Sequence, residues 1–303
     1  MSDVKPASAD ATEPSVLASA AARFDKRDLT TRAVTAALGA AGAATLIVLG
    51  PWGLLIVCLI LSVGGVVEFY RNVGIAWNAP HTLISVGAAA YGWWLVAGEQ
   101  YWSRFEASPG GLYPFLALVP LLLITLLYRR ENSQPFQTFG YLLLGLVYVA
   151  VPFLLLYAAA LNADGLFVGQ DNRYSWQIPM GVFFCVWSAD IAAYFVGKVF
   201  GKHKLFPSIS PKKTWEGVAG SVVMLLAMAL WLNWAWPQRY DWFGVAAIVG
   251  VVGTYGDLVE SMLKRSVGVK DSGGLLPGHG GILDRFDAFL LAMPMVFWYM
   301  FWQ

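Results

Sequence analysis

Between Ser261 and Asp287 the chain reads SMLKRSVGVKDSGGLLPGHGGILDRFD. This stretch gathers Lys264, Arg265, Lys270, Asp271, His279, Asp284, Arg285 and Asp287, and Asp257 and Glu260 lie just upstream. The chain is 58% hydrophobic and only 13% charged, so concentrating both signs in one short region points to a charged ligand. Glycines at 273, 274, 278, 280 and 281 supply the backbone freedom a loop needs to wrap such a ligand. Asp257, Glu260, Ser261 and Lys264 fall at i, i+3, i+4 and i+7, which places them on one helix face. Asp284 and Asp287 share a face of the first turn of the next helix. Plainer roles compete: a Glu260–Lys264 pair within one helix, and capping by the two aspartates. Carboxylates from two helix ends, brought together, would instead offer an all-oxygen site for a hard divalent cation such as Mg²⁺. Asp257 and Asp284 are the first candidates as metal ligands, with Asp271, Asp287 and Glu260 as further ones. Zinc is disfavoured, because there is no cysteine cluster and His81, His203 and His279 are scattered.

A second group lies upstream. Asp190, Tyr194 and Lys198 recur at i, i+4 and i+8 on one helix face. The polar segment that follows carries Lys202, Lys204, Ser210, Lys212 and Lys213. Lysines and hydroxyls beside a membrane surface suit a polyphosphate or an anionic lipid headgroup, although ordinary topogenic charge would also place lysines there. Gly197 to Lys202 is one residue too short for a Walker A loop, and His203 stands where Ser or Thr belongs. Hydrolysis of ATP by a P-loop is therefore not expected.

These residues must be carried by membrane helices. Apolar segments of spanning length recur, and mean hydropathy is +0.59. The expected architecture is all-α and polytopic, with nine spans at roughly 33–50, 53–70, 81–98, 112–128, 137–161, 177–199, 217–236, 242–263 and 284–302. The first two are divided only by Gly50-Pro51-Trp52, so a single re-entrant hairpin is the alternative there. With a cytoplasmic N-terminus, every Lys and Arg except Arg104, Arg173 and Arg239 falls on the cytoplasmic side or at its edge. That bias is the positive-inside pattern. Residues 1–31 are polar, lack the apolar core of a signal peptide, and read as a disordered cytoplasmic tail. The remainder divides into N-terminal spans over 32–170 and a catalytic region over 171–303, with cytoplasmic loops at 200–216 and 264–283. Cys58 and Cys185 fall within separate spans and read as packing residues. A net charge of +1 gives no case for nucleic acid.

Depth narrows the chemistry. Asp257 lies about 7–8 Å, and Asp190 about 14 Å, from the cytoplasmic ends of their helices at the helical rise. A transporter would place its charged site nearer the midplane. A site at the inner edge can take a soluble anion from the cytosol and a lipid headgroup sideways from the leaflet.

The run Ser261-x-Leu263-Lys264-Arg265-x4-Lys270-Asp271-x-Gly273-x2-Leu276-Pro277-x-His279-Gly280-Gly281-Ile282-x-Asp284-Arg285-Phe286-Asp287 resembles the signature of the phosphatidate cytidylyltransferases, the CDP-diacylglycerol synthases. Ser210-Pro211-Lys212-Lys213-Thr214-Trp215-Glu216-Gly217, and Asp190 through Tyr194 to Gly197-Lys198, look like the same family. The likeness is firm over about 185–290 and earlier amounts to hydrophobic pattern. It implies that CTP and phosphatidic acid give CDP-diacylglycerol and pyrophosphate in the cytoplasmic membrane. It also implies Mg²⁺, a monovalent cation such as K⁺ beside it, and a homodimer. On this reading Asp257, Asp284 and Asp287 form the catalytic acidic group, and Lys264, Arg265 and Lys270 hold phosphates. Ser210, Lys212 and Lys213 bind either the triphosphate or the lipid phosphate. Asp190 and Arg285 join the substrate site, and His279 shapes the loop or donates a hydrogen bond. A CTP-dependent polyprenol or lipid kinase, and an anion transporter, are the alternatives.

Overall fold

The computed structural model describes residues 26–101, 113–128, 134–161, 174–237, 241–269, 272–273 and 280–302. Among them the helices are α1 Lys26–Leu49, α2 Pro51–Asn72, α3 Pro80–Tyr101, α4 Tyr113–Leu127, α5 Pro135–Leu161, α6 Gln177–Phe200, α7 Trp215–Ala235, α8 Trp242–Ser266 and α9 Leu283–Phe301. Five of them, α2, α5, α6, α7 and α8, are long and apolar enough to cross a membrane. Large apolar side chains are left exposed along their outer faces, among them Val223, Leu230 and Trp234 of α7, as lipid-facing surfaces require. Gly50 and Pro51 separate α1 from α2: Gly50 takes a positive φ, and Pro51 opens the new helix, where its missing N–H costs nothing. The expected tail of 1–31 lies outside the described residues up to 25, while 26–31 already belong to α1.

The polar segment expected as a loop over 200–216 departs from an all-helical chain. It holds a β-hairpin, β1 Lys204–Phe206 antiparallel to β2 Ser210–Thr214, with Lys204 opposite Thr214 and Phe206 opposite Ser210. Pro211 is tolerated because a two-stranded ribbon consists of edges only. The hairpin is clasped at its base by Glu216. The backbone N–H groups of Lys202 and His203 donate to its carboxylate, and His203 Nδ1 lies 2.6 Å from Oε1. Thr214 then caps α7 by accepting from the Gly217 N–H at 3.2 Å.

α9 buries Ala288, Phe289, Leu290, Ala292, Met293 and Val296 among its neighbours. Its Phe286 and Phe289 meet Phe153 of α5 and Phe183 of α6 at ring separations of 5.0–6.0 Å. This apolar anchoring holds α9 on one side; small residues admit α8 on the other. A Cβ at Gly256 would lie 2.6 Å from the Asp287 carbonyl oxygen, and one at Gly253 would touch Ala288, so the backbones of α8 and α9 approach closely. α6 and α7 also meet through glycine, with Gly217 against the Ala193 carbonyl and against Gly197. Two helices are interrupted by π-helical turns, α5 at Gly145–Ala150 and α8 at Val249–Gly253. Cys58 and Cys185 are buried and unbonded, as their packing role predicts.

Candidate active site

The close approaches of α6 to α7 and of α8 to α9 leave a cavity of about 670 Å³ between the helix ends and the hairpin. Its wall carries Asp190, Asp257, Asp284 and Asp287, together with Lys198, Lys204, Lys212 and Lys213. Ser210, Thr214 and Tyr194 also line it. The volume is in the range of small-molecule sites, and the mixed charge suits a ligand bearing phosphates and cations rather than an apolar one.

Two ion-pair systems organise the wall. Lys213 reaches across from β2 to Asp257 of α8 at 2.6 Å and donates to the Thr254 carbonyl at 3.3 Å. That carbonyl follows directly on the π-helical turn of α8, and such turns free backbone groups and recur at functional sites. Ser261, one turn further on, donates to Asp257 Oδ1 at 3.4 Å. The second system centres on Lys264, which pairs with Glu260 and with Asp284 at 2.7 Å each. Asp284 is further held by the backbone N–H groups of Ser272 at 2.9 Å and Gly281 at 3.2 Å. Glu260 is buried and also accepts from the Ser272 hydroxyl at 2.8 Å.

The predicted helix face is thus real but divided. Asp257 turns to the cavity and the lysine hairpin. Glu260 and Lys264 turn to the loop that precedes α9. Asp257 and Asp284, the first candidates as metal ligands, share the cavity and are held by different lysines. Asp287 is placed differently: its carboxylate accepts from the adjacent Ala288 N–H, and Asp190, Asp257 and Glu260 all lie close enough to repel it. Among the described residues no three His, Cys, Asp or Glu side chains are already gathered as a metal cage. Arg265 and Arg285 are exposed and do not line the cavity. Lys270, Asp271 and His279 lie outside the described residues.

The sequence model of the cytidylyltransferase family matches residues 30–302. The chain belongs to that family. The match reaches well beyond the segment in which the likeness was expected. Among curated relatives, the phosphatidate cytidylyltransferase of Bacillus subtilis (strain 168) is 39% identical over 210 residues, covering 68% of this chain and 74% of that protein. The phosphatidate cytidylyltransferase of Staphylococcus aureus (strain COL) is 38% identical over 186 residues, covering 59% of this chain and 66% of that one. That of Staphylococcus haemolyticus is 38% identical over 189 residues, covering 60% and 66%.

Three features of this cytidylyltransferase-family chain escaped the reading of its sequence. The Thr254 carbonyl is a backbone group and has no residue signature. Tyr148 of α5 has a buried hydroxyl with no hydrogen-bond partner among the described residues. Glu68 of α2 is buried and accepts from the backbone N–H groups of Ile282 and Leu283 at 3.0 Å each. A signal for Glu68 was present: it is the single acid within the apolar run 53–70, and a carboxylate in a span calls for a partner.

Proposed function

We propose that this chain is a phosphatidate cytidylyltransferase, forming CDP-diacylglycerol and pyrophosphate from CTP and phosphatidic acid. The observation that carries the reading is the cavity at the helix ends, lined by four lysines and four aspartates. A lipid phosphate oxygen, ionised near neutral pH, attacks the α-phosphorus of CTP. The bond from that phosphorus to the β-phosphate's bridging oxygen breaks, and pyrophosphate leaves with the electron pair. No general base is needed. The barrier is instead the repulsion between two polyanions, which preorganised positive charge lowers. Lys198, Lys204 and Lys212 are placed to receive phosphate oxygens. Lys213 can do so once Asp257 finds another partner.

A hard divalent cation fits the donor set. The acids are oxygen donors, they line one cavity, and Asp287 has three like charges near it while, among the described residues, its carboxylate accepts from the Ala288 N–H. Asp257 and Asp287 would hold the ion, with Asp190 in the same cavity wall. Asp284, already satisfied by Lys264 and two amides, would serve as the outer wall. When bound, Mg²⁺ supplies charge neutralisation between the phosphates and stabilises the departing pyrophosphate. A monovalent cation in the same acidic group, a homodimer, nine spans with a cytoplasmic N-terminus, and a site facing the cytoplasm of the inner membrane complete the proposal.

The test uses purified protein in detergent with CTP labelled at the α- or γ-phosphate. Label from the α-phosphate should pass into lipid, and pyrophosphate should appear, only when phosphatidic acid is added. Transfer of the γ-label to lipid with release of CDP would make the protein a kinase. Binding without turnover would leave a transporter.

A further inference from the structure

We propose that Glu68 is a positioning residue: from a helix more than 200 residues away it fixes the first turn of α9, and through it Asp284 and Asp287. This rests on the reaction proposed above only for its kinetic arm. α9 begins without a cap from its own neighbourhood, since Ile282 offers no side-chain acceptor. The opening N–H groups of a helix have no partner within it. Here Glu68 Oε2 accepts from Ile282 and Oε1 from Leu283, both at 3.0 Å. The helix N-terminus is the positive end of its dipole, so a carboxylate is the acceptor that serves it best.

The loop is shaped to admit this side chain. A Cβ at Gly281 would run into the Glu68 carboxylate, and one at Gly273 would lie 2.9 Å from its Oε2. Asp284 binds the same two parts of the loop, through the N–H groups of Ser272 and Gly281. Two carboxylates thus grip one crossing point. Glu68 sets where α9 starts, and Asp284 ties that start to Lys264 of α8. Glu68 is itself buried and is not part of the cavity wall, so it acts without touching substrate.

Two adjacent N–H donors require two acceptor oxygens. Glu68→Gln keeps the shape but sets an NH₂ group against one of them. Gly281→Ala attacks the same contact from the loop. In each variant kcat should fall at least about tenfold while KM for CTP and for phosphatidic acid stays within about threefold, because orientation and not binding is lost. Hydrogen exchange in peptides spanning 280–286 should accelerate at least about tenfold, while peptides holding the Gly217 amide keep their protection. Wild-type kcat in Glu68→Gln overturns the proposal. So does unchanged protection over 280–286, and so does a rise in KM that accounts for the whole loss. Exchange needs no substrate: if the wild type releases no pyrophosphate, the assigned reaction fails while the exchange comparison still judges Glu68.

Discussion

Replacing Lys264 by Met tests what that lysine is for. Its ammonium lies 2.7 Å from both Glu260 and Asp284, and its side chain is 17% exposed, against 1% and 18% for its partners. At that separation and an effective dielectric constant near 20, each pair attracts by about 6 kcal/mol. Desolvation of the three groups cancels much of this, and removing one member of a buried pair costs about 3–5 kcal/mol net. Partial exposure of Lys264 and Asp284 brings the expected loss to the lower end, about 3 kcal/mol. Glu260 would then be left buried with only the Ser272 hydroxyl. Glu260→Gln in the same chain should return a part of that loss, on the order of 1–2 kcal/mol of coupling in a double-mutant cycle. Unfolding by SDS titration in mixed micelles reads these differences. Lys264 does not tie α8 to α9 for stability if Lys264→Met keeps wild-type stability and loses turnover through a raised KM for CTP. That result would return Lys264 to a role in holding phosphate.

Asp257→Asn and Asp287→Asn should each lower turnover by about 10²-fold or more with little change in folded yield, since a charge is lost but the shape kept. Chelation should silence the wild type and Mg²⁺ restore it; the double variant should lose less than the product of the single losses if both acids serve one cation, and a full multiplicative loss in a turnover assay refutes that. Tyr148→Phe removes a buried hydroxyl that has no partner among the described residues, so thermal unfolding in detergent should show stability unchanged or raised by up to about 1–2 kcal/mol; a clear loss would mean the hydroxyl is bound. A reporter fused after Gln303 should be active only outside the cytoplasm, and cytoplasmic activity there refutes the nine-span orientation.

Much of the scaffold was legible because lipid imposes one rule along a whole segment. Apolar runs gave the helices, and spacing gave the face shared by Asp257, Glu260 and Lys264. Spacing says which residues share a face but not what lies opposite. The partner of Asp257 is Lys213, on a hairpin that a lysine-rich, proline-containing segment does not announce as strand. Glu68 has no periodic companion, and its partners are backbone amides of residues 282 and 283. Asp284 and Asp287, equivalent as an i, i+3 pair, are separated by what they accept from: Lys264 and the Ser272 and Gly281 N–H groups for Asp284, the Ala288 N–H for Asp287.

The π-helical turn at Val249–Gly253 sets the rotational phase of α8. Such a turn fits one more residue into the helix than an unbroken α-helix would hold, and one residue corresponds to about 100° of rotation. The apolar half from Trp242 and the reactive half from Thr254 are therefore out of step along one continuous rod. Forcing the same residues into an unbroken α-helix would turn Asp257 by about that angle away from Lys213, whereas removing a single residue within 249–253 would restore a regular helix with Asp257 kept near its present direction. Chains descended from this one can exchange many apolar side chains in α8, and the turn is the point at which the helix can lose one residue without turning Asp257 out of the site.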